Sequence, residues 1–189
     1  MSIDELETQY GAPSASGPDD LLPPQDVNAE RSVIGSMLMS KDAISDTVEI
    51  LKGRDFYRPA HETIFDAILS LYSRGEPADA ITVGAELERT DQLDRIGDRV
   101  YLADLLGSVS IAENASYYAR IVSDKAVLRR LVDASMRISQ MAYQGQGDVA
   151  DTVDAAFRLG RLLWTHRPEH NAFATVRLGL GIAESRVGI

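Results

Sequence analysis

From Ala115 to Tyr143 the chain contains neither glycine nor proline. Nothing in that stretch breaks a helix, and some 30 residues at about 1.5 Å each make a rod of roughly 45 Å. Such a rod outreaches a domain of about 90 residues, whose radius is near 15 Å. Ile121, Leu128, Leu131, Ser135, Ile138 and Ala142 fall on a heptad seam, with Asp124 as the one mismatch. Gly145-Gln146-Gly147 marks a turn. Beyond it Val149, Val153, Ala156, Gly160 and Leu163 repeat at alternating spacings of four and three. Two antiparallel helices with facing seams form a helical hairpin. Val122, Val127, Val132, Met136, Met141 and Tyr143 lie off the seam, and two helices cannot cover groups on several sides. Burying a Val- or Met-sized side chain is worth about 1.5–3 kcal/mol, so such a rod favours association.

Shorter helices precede the rod. Asn28 can cap one running to Met39, with Val33, Ile34, Met37 and Leu38 on one face. Ser40 can cap a second, which carries Ala43, Ile44, Thr47, Val48 and Leu51 and ends at Gly53. A third begins at Pro59, since proline suits the first helical position, and stops at Ser73-Arg74-Gly75. Its entry angle is fixed if Phe56 and Tyr57 fold back onto its first turn. Thr82 can cap a fourth, and a fifth spans Asp98 to Leu106. Sustained period-two alternation is missing, which predicts an all-α fold: a compact multi-helix bundle followed by a long antiparallel helical hairpin. The expected divisions are an acidic, disordered arm (1–21), the bundle (22–112), the hairpin (113–164) and an irregular tail (165–189).

Composition narrows the chemistry. The 189 residues carry a net charge of −10, three lysines and no cysteine. Disulfides and thiolate metal sites are thereby excluded, which fits a cytoplasmic protein. The first 26 residues hold six acids and no base, and residues 27–118 hold sixteen acids and nine bases. Such a surface repels phosphates, so little direct nucleic-acid binding is expected. No signal peptide or 18-residue apolar run points to a membrane.

Several ordered segments together resemble one family. Pro23-Pro24 leads into Asn28-Ala29-Glu30-Arg31-Ser32-Val33-Ile34-Gly35. The acidic-aromatic segment Asp55-Phe56-Tyr57-Arg58-Pro59-Ala60-His61 follows, and then Asp79-Ala80-Ile81-Thr82-Val83. Gly97-Asp98-Arg99-Val100-Tyr101-Leu102-Ala103-Asp104-Leu105 and Ala115-Ser116-Tyr117-Tyr118-Ala119 complete the set. From Leu22 to Met141 this order resembles the N-terminal domain of bacterial replicative DNA helicases of the DnaB type. The resemblance fades after Asp154-Ala155-Ala156. It implies a helical bundle and hairpin that help assemble a ring, as dimers or a trimer of dimers, and that dock primase and helicase loader proteins. ATP and magnesium belong to the family's motor domain. A motor needs a phosphate-cradling Gly-Lys-Ser/Thr loop, but Lys41, Lys52 and Lys125 follow Ser40, Leu51 and Asp124. This chain is therefore expected to lack the motor and to have neither ATPase nor unwinding activity of its own, and no cofactor.

No catalytic, cofactor-binding or metal site is expected. His166-Arg167-Pro168-Glu169-His170 matches the string of an inverted zincin, yet Pro168 would disrupt the helix turn that such a site needs. His61 is read as a packing or capping residue, because no nucleophile or orienting partner is visible in sequence. Asp148, Asp151 and Asp154 suit a helix start. The residues expected to carry homotypic contact are Leu128, Leu131, Val132, Ser135, Ile138, Met141, Val149 and Val153. Two other classes are a stand-alone helical adaptor or regulator unrelated to replication, and a metal-dependent hydrolase using the His166/His170 tail.

Overall fold

The computed structural model describes residues 22–109, 112–145 and 148–164. All regular elements among them are helical. They are α1 (Val27–Met39), α2 (Lys41–Ile50), α3 (Pro59–Ser73), α4 (Ala80–Arg89), α5 (Leu93–Ile96), α6 (Arg99–Gly107), α7 (Ala115–Gln144) and α8 (Val149–Trp164). Short 3₁₀ turns at Gly53–Asp55 and Ala112–Asn114 precede α3 and α7. The expected arm (1–21), the tail (165–189) with His166 and His170, and Gln146-Gly147 of the expected turn lie outside the described residues.

α1 is the centre of the bundle. Eight of its thirteen residues are buried, too many for one amphipathic stripe, and other helices surround it. It begins earlier than expected. Asp26, not Asn28, is its cap, because the Asp26 carboxylate accepts the Ala29 N–H at 2.9 Å. Ser40 serves two helices, as expected for the second. Its N–H donates to the Ser36 carbonyl to close α1, and its hydroxyl accepts from Ala43 N–H to open α2. α2 stops at Ile50, ahead of Gly53, which instead opens the 3₁₀ turn. α3 starts and stops where proline and glycine predict, with Pro59 at its first position and Gly75 at φ +74°. For α4 the cap is Asp79. It accepts from Ile81 and Thr82 N–H, while the Thr82 hydroxyl accepts from Asp79 N–H in a reciprocal box. Thr82 is thus the partner of the cap rather than the cap. The four-residue α5, which buries Ile96, is absent from the sequence reading.

The core gathers Ile34 and Met37 from α1, Ile64, Phe65 and Ile68 from α3, Leu87 from α4 and Leu102 and Leu105 from α6. Ala119 and Val122 of α7 belong to the same cluster. Val122, expected to lie uncovered on the rod, is therefore a bundle residue. α7 divides along its length: Ala115, Ala119, Val122 and Ala126 are buried at heptad-like spacing where it lies along α1 and α2, and the later turns project past the bundle.

Two contacts set helix positions. A β-carbon at Gly35 would stand 2.4 Å from the Leu105 carbonyl oxygen and 2.4 Å from Val109 Cγ2, so only glycine lets α1 and α6 cross this closely. At the other side Glu86 of α4 accepts from Arg89 and from Arg74 at the end of α3, with Arg89 Nε at 2.9 Å and Arg74 Nη1 at 3.2 Å. These two guanidinium groups, Arg89 first, hold the Glu86 carboxyl at about 2, well under its ordinary 4.5.

Gly35→Ala is expected to lower stability by about 1–3 kcal/mol through overpacking against a backbone oxygen, which exceeds the gain in helix propensity. Urea unfolding followed by circular dichroism measures it. Because Glu86 titrates below its ordinary value when folded, its clip contributes fully above about pH 4.5 and is lost as pH falls toward 2. Glu86→Gln should flatten the decline of the urea midpoint across that window.

Candidate docking surface

A carboxylate, an imidazole and a phenol line up inside the bundle. Glu30 Oε1 accepts the Tyr57 N–H at 2.6 Å, and Oε2 accepts the Arg58 N–H at 3.3 Å. His61 Nδ1 lies 2.6 Å from the same Oε2, and His61 Nε2 lies 2.7 Å from the Tyr101 hydroxyl. A carboxylate only accepts, so Nδ1 carries a proton in this pair. Tyr101 stacks parallel to the imidazole, and Phe56 meets it edge-on. The same three group types, in line, would suit acid–base relay. Here, however, His61 is 0% exposed and Glu30 1%, so no substrate atom reaches either. The constellation ties α1, the Asp55–Arg58 turn, α3 and α6 together. His61 is the packing residue expected from sequence, and its orienting partner Glu30 lies 31 residues upstream.

Glu30→Ala leaves three donors without their acceptor and is expected to cost on the order of 3–5 kcal/mol. Tyr101→Phe removes one hydroxyl and should cost about 0.5–1.5 kcal/mol. Guanidinium denaturation of both variants checks the ranking.

The accessible chemistry lies on the hairpin. Leu128, Leu131, Val132, Met136 and Tyr143 of α7 are exposed, as are Val149, Val153 and Phe157 of α8. At 100° per residue the α7 set covers one side of the helix, opposite Ala119 and Ala126, which face the bundle. It also points away from Ala134, which is buried yet lies outside the bundle core. Ile138 and Met141 are half-buried on the Ala134 side, and Thr152, Ala155, Ala156 and Leu159 are half-buried on α8. The hairpin therefore closes on a seam that keeps Ile138 and Ala156 of the one expected and leaves other large members of it out. Leu128, Leu131, Ser135, Val149 and Val153 do not face the other helix but are exposed. Small and large residues share the inner side, Ala134, Ala155 and Ala156 beside Ile138, Met141 and Leu159. Of the eight residues expected to carry contact, Leu128, Leu131, Val132, Ser135, Val149 and Val153 are accessible, whereas Ile138 and Met141 are partly taken up inside the chain. Phe157, 75% exposed, was missed, although it continues the spacing of Val149 and Val153 by four.

Among the described residues no group of three or more His, Asp or Glu side chains could hold a metal ion. No helix among them is long and apolar enough to cross a membrane. A polar tie inside the bundle and an exposed apolar side on the hairpin describe an all-helical module. The family model described as DnaB-like helicase N terminal domain matches residues 22–124. The chain belongs to that family.

Replicative DNA helicase DnaB of Mycobacterium leprae is 58% identical over 136 residues, which are 71% of this chain and 22% of that protein. Replicative DNA helicase DnaC of Bacillus subtilis is 41% identical over 138 residues, or 73% of this chain and 30% of that protein. The chain thus spans less than a third of the length of these curated relatives. The crystal structure of the N-terminal domain of DnaB helicase from Mycobacterium tuberculosis superposes with a TM-score of 0.71 at 56% identity, covering 73% of this chain and 97% of that one. The N-terminal domain of DnaB from Helicobacter pylori, described with that protein's interactions with primase, shares the fold at a TM-score of 0.55 and 22% identity, covering 61% of this chain and 90% of that one.

Proposed function

We propose that this chain is the assembly and docking part of a replicative helicase, working in the cytoplasm beside that helicase's motor. The exposed apolar side of the hairpin carries the reading. Leu131 is 54% exposed and Val149 77%, and contiguous exposed side chains of this size mark association surfaces. A second copy of the chain would cover them through Leu128, Leu131, Val132, Ser135, Ile138, Met141, Val149 and Val153, giving dimers, or a trimer of dimers in a ring. Primase and a helicase loader are the proposed further partners. The relatives' names support a replicative role, and the Helicobacter pylori domain's described interactions with primase support that partner. ATP and magnesium would serve the motor, with no cofactor held by this domain. A net charge of −10 argues against strong direct binding of nucleic acid.

The test is self-association. Leu131→Asp places a charge on the exposed side of α7, at a position already more than half open to water. Light scattering should show the oligomer broken, with helix content by circular dichroism unchanged. An oligomer as large as that of the parent chain would remove this surface from the interface.

A further inference from the structure

The fully buried side chains that hold α7 to the bundle are small. Its fully buried positions there are Ala115, Ala119, Val122 and Ala126, three methyl groups and one valine, with Tyr118 and Ile121 packed half-buried against the core. Alanines allow close approach, yet each contributes only about one buried carbon, near 0.8 kcal/mol. The last bundle contact along the rod is polar. Arg129 Nη1 donates to the Pro24 carbonyl at 2.8 Å, and Nη2 donates to the Asp55 carbonyl. The same guanidinium lies over the Tyr57 ring, 5.7 Å from its centre. Arg130 Nη1 pairs with the Asp55 carboxylate at 2.6 Å. Asp55 is itself fixed, because its other oxygen accepts the Lys52 N–H. Burial pushes the Arg129 pKa below its ordinary value, against the raising pull of the nearby Glu30 and Asp55 carboxylates.

We infer that Arg129, clasped between the Pro23–Pro24 strap and the Asp55-Phe56-Tyr57 turn, is the latch that sets the angle at which the hairpin leaves the bundle. Released, the rod pivots on its alanine contact. The latch regulates the surface assigned under Proposed function but does not depend on that assignment, since it lies within one chain. The strap is suited to the task. Two proline rings fix the φ angles of the strap, and Pro24, at a bend, presents its carbonyl without an N–H of its own to satisfy. Arginine is needed because one planar fork reaches two carbonyls while its face covers an aromatic ring, which an ammonium cannot do.

The chain has no cysteine, so spin labels can be placed freely. Labels at Ala85→Cys on α4 and Ser139→Cys on α7, both exposed positions, report the bundle-to-hairpin distance by electron paramagnetic resonance on dilute monomer. The parent chain should give one narrow distribution. Arg129→Ala should broaden and shift it, and Arg129→Lys should broaden it less. Pro23→Gly with Pro24→Gly should broaden it although every carbonyl remains. Arg137→Ala, an exposed arginine farther along α7, should leave it narrow. The latch is overturned if Arg129→Lys or the glycine pair leaves the distribution as narrow as in the parent, or if Arg137→Ala broadens it equally. Since the readout is on monomer, an intact latch with no self-association would point to failure of the assembly reading alone.

Discussion

A carboxylate placed in a protein interior must be given donors, and Glu30 determines where much of this chain can go. Its donors all come from one five-residue span: the backbone N–H groups of Tyr57 and Arg58, and the imidazole of His61. Two of the three are main-chain groups at the start of α3, just ahead of Pro59. Glu30 therefore anchors the entry to α3 from a different helix, with its negative charge near the positive end of the α3 dipole. That fixes the distance and rotation between α1 and α3. Tyr101 extends the constraint to α6 by reaching the far side of the same imidazole.

This explains which parts of the sequence were legible. Asp55-Phe56-Tyr57-Arg58-Pro59-Ala60-His61 read clearly because each member has a local job: Asp55 closes the 3₁₀ turn, Phe56 enters the core, and Pro59 starts the helix. Resemblance and geometry point to the same segment for that reason. The existence of Glu30 as partner was not legible, since a contact across 31 residues leaves no periodic trace. Caps were misplaced by a few residues where two candidates competed. At α1, aspartate outbid asparagine because its side chain reaches the third amide. At α4, Asp79 and Thr82 satisfy one another, and sequence alone does not say which comes first.

The hairpin was legible as a hairpin but not as a surface. Heptad reasoning assigns the larger apolar residues to the seam, on the assumption that a seam maximises buried area. Here Ala134, Ala155 and Ala156 lie inward with Ile138, Met141 and Leu159, while Leu128, Leu131, Val149 and Val153 lie outward. Rotating each helix to bring its larger residues in would satisfy one chain by itself. That rotation is closed to α7, whose first half is already fixed by Ala119, Val122 and Ala126 against the bundle and by Arg129 against the strap. One continuous helix has one orientation, so what the bundle fixes at the near end decides which residues are left over at the far end.

The leftover side is thus a consequence of packing elsewhere, and its cost in water is real. Each Leu or Val left uncovered forgoes roughly 1.5–3 kcal/mol that a neighbour would supply. A two-helix hairpin has no third layer to supply it. The bundle cannot, because the rod has passed beyond it, and α8 cannot, because it occupies the Ala134 side. Cover has to come from outside the described elements, and that unmet need is the physical ground for the proposal that the stripe on one copy of the chain covers the stripe on another.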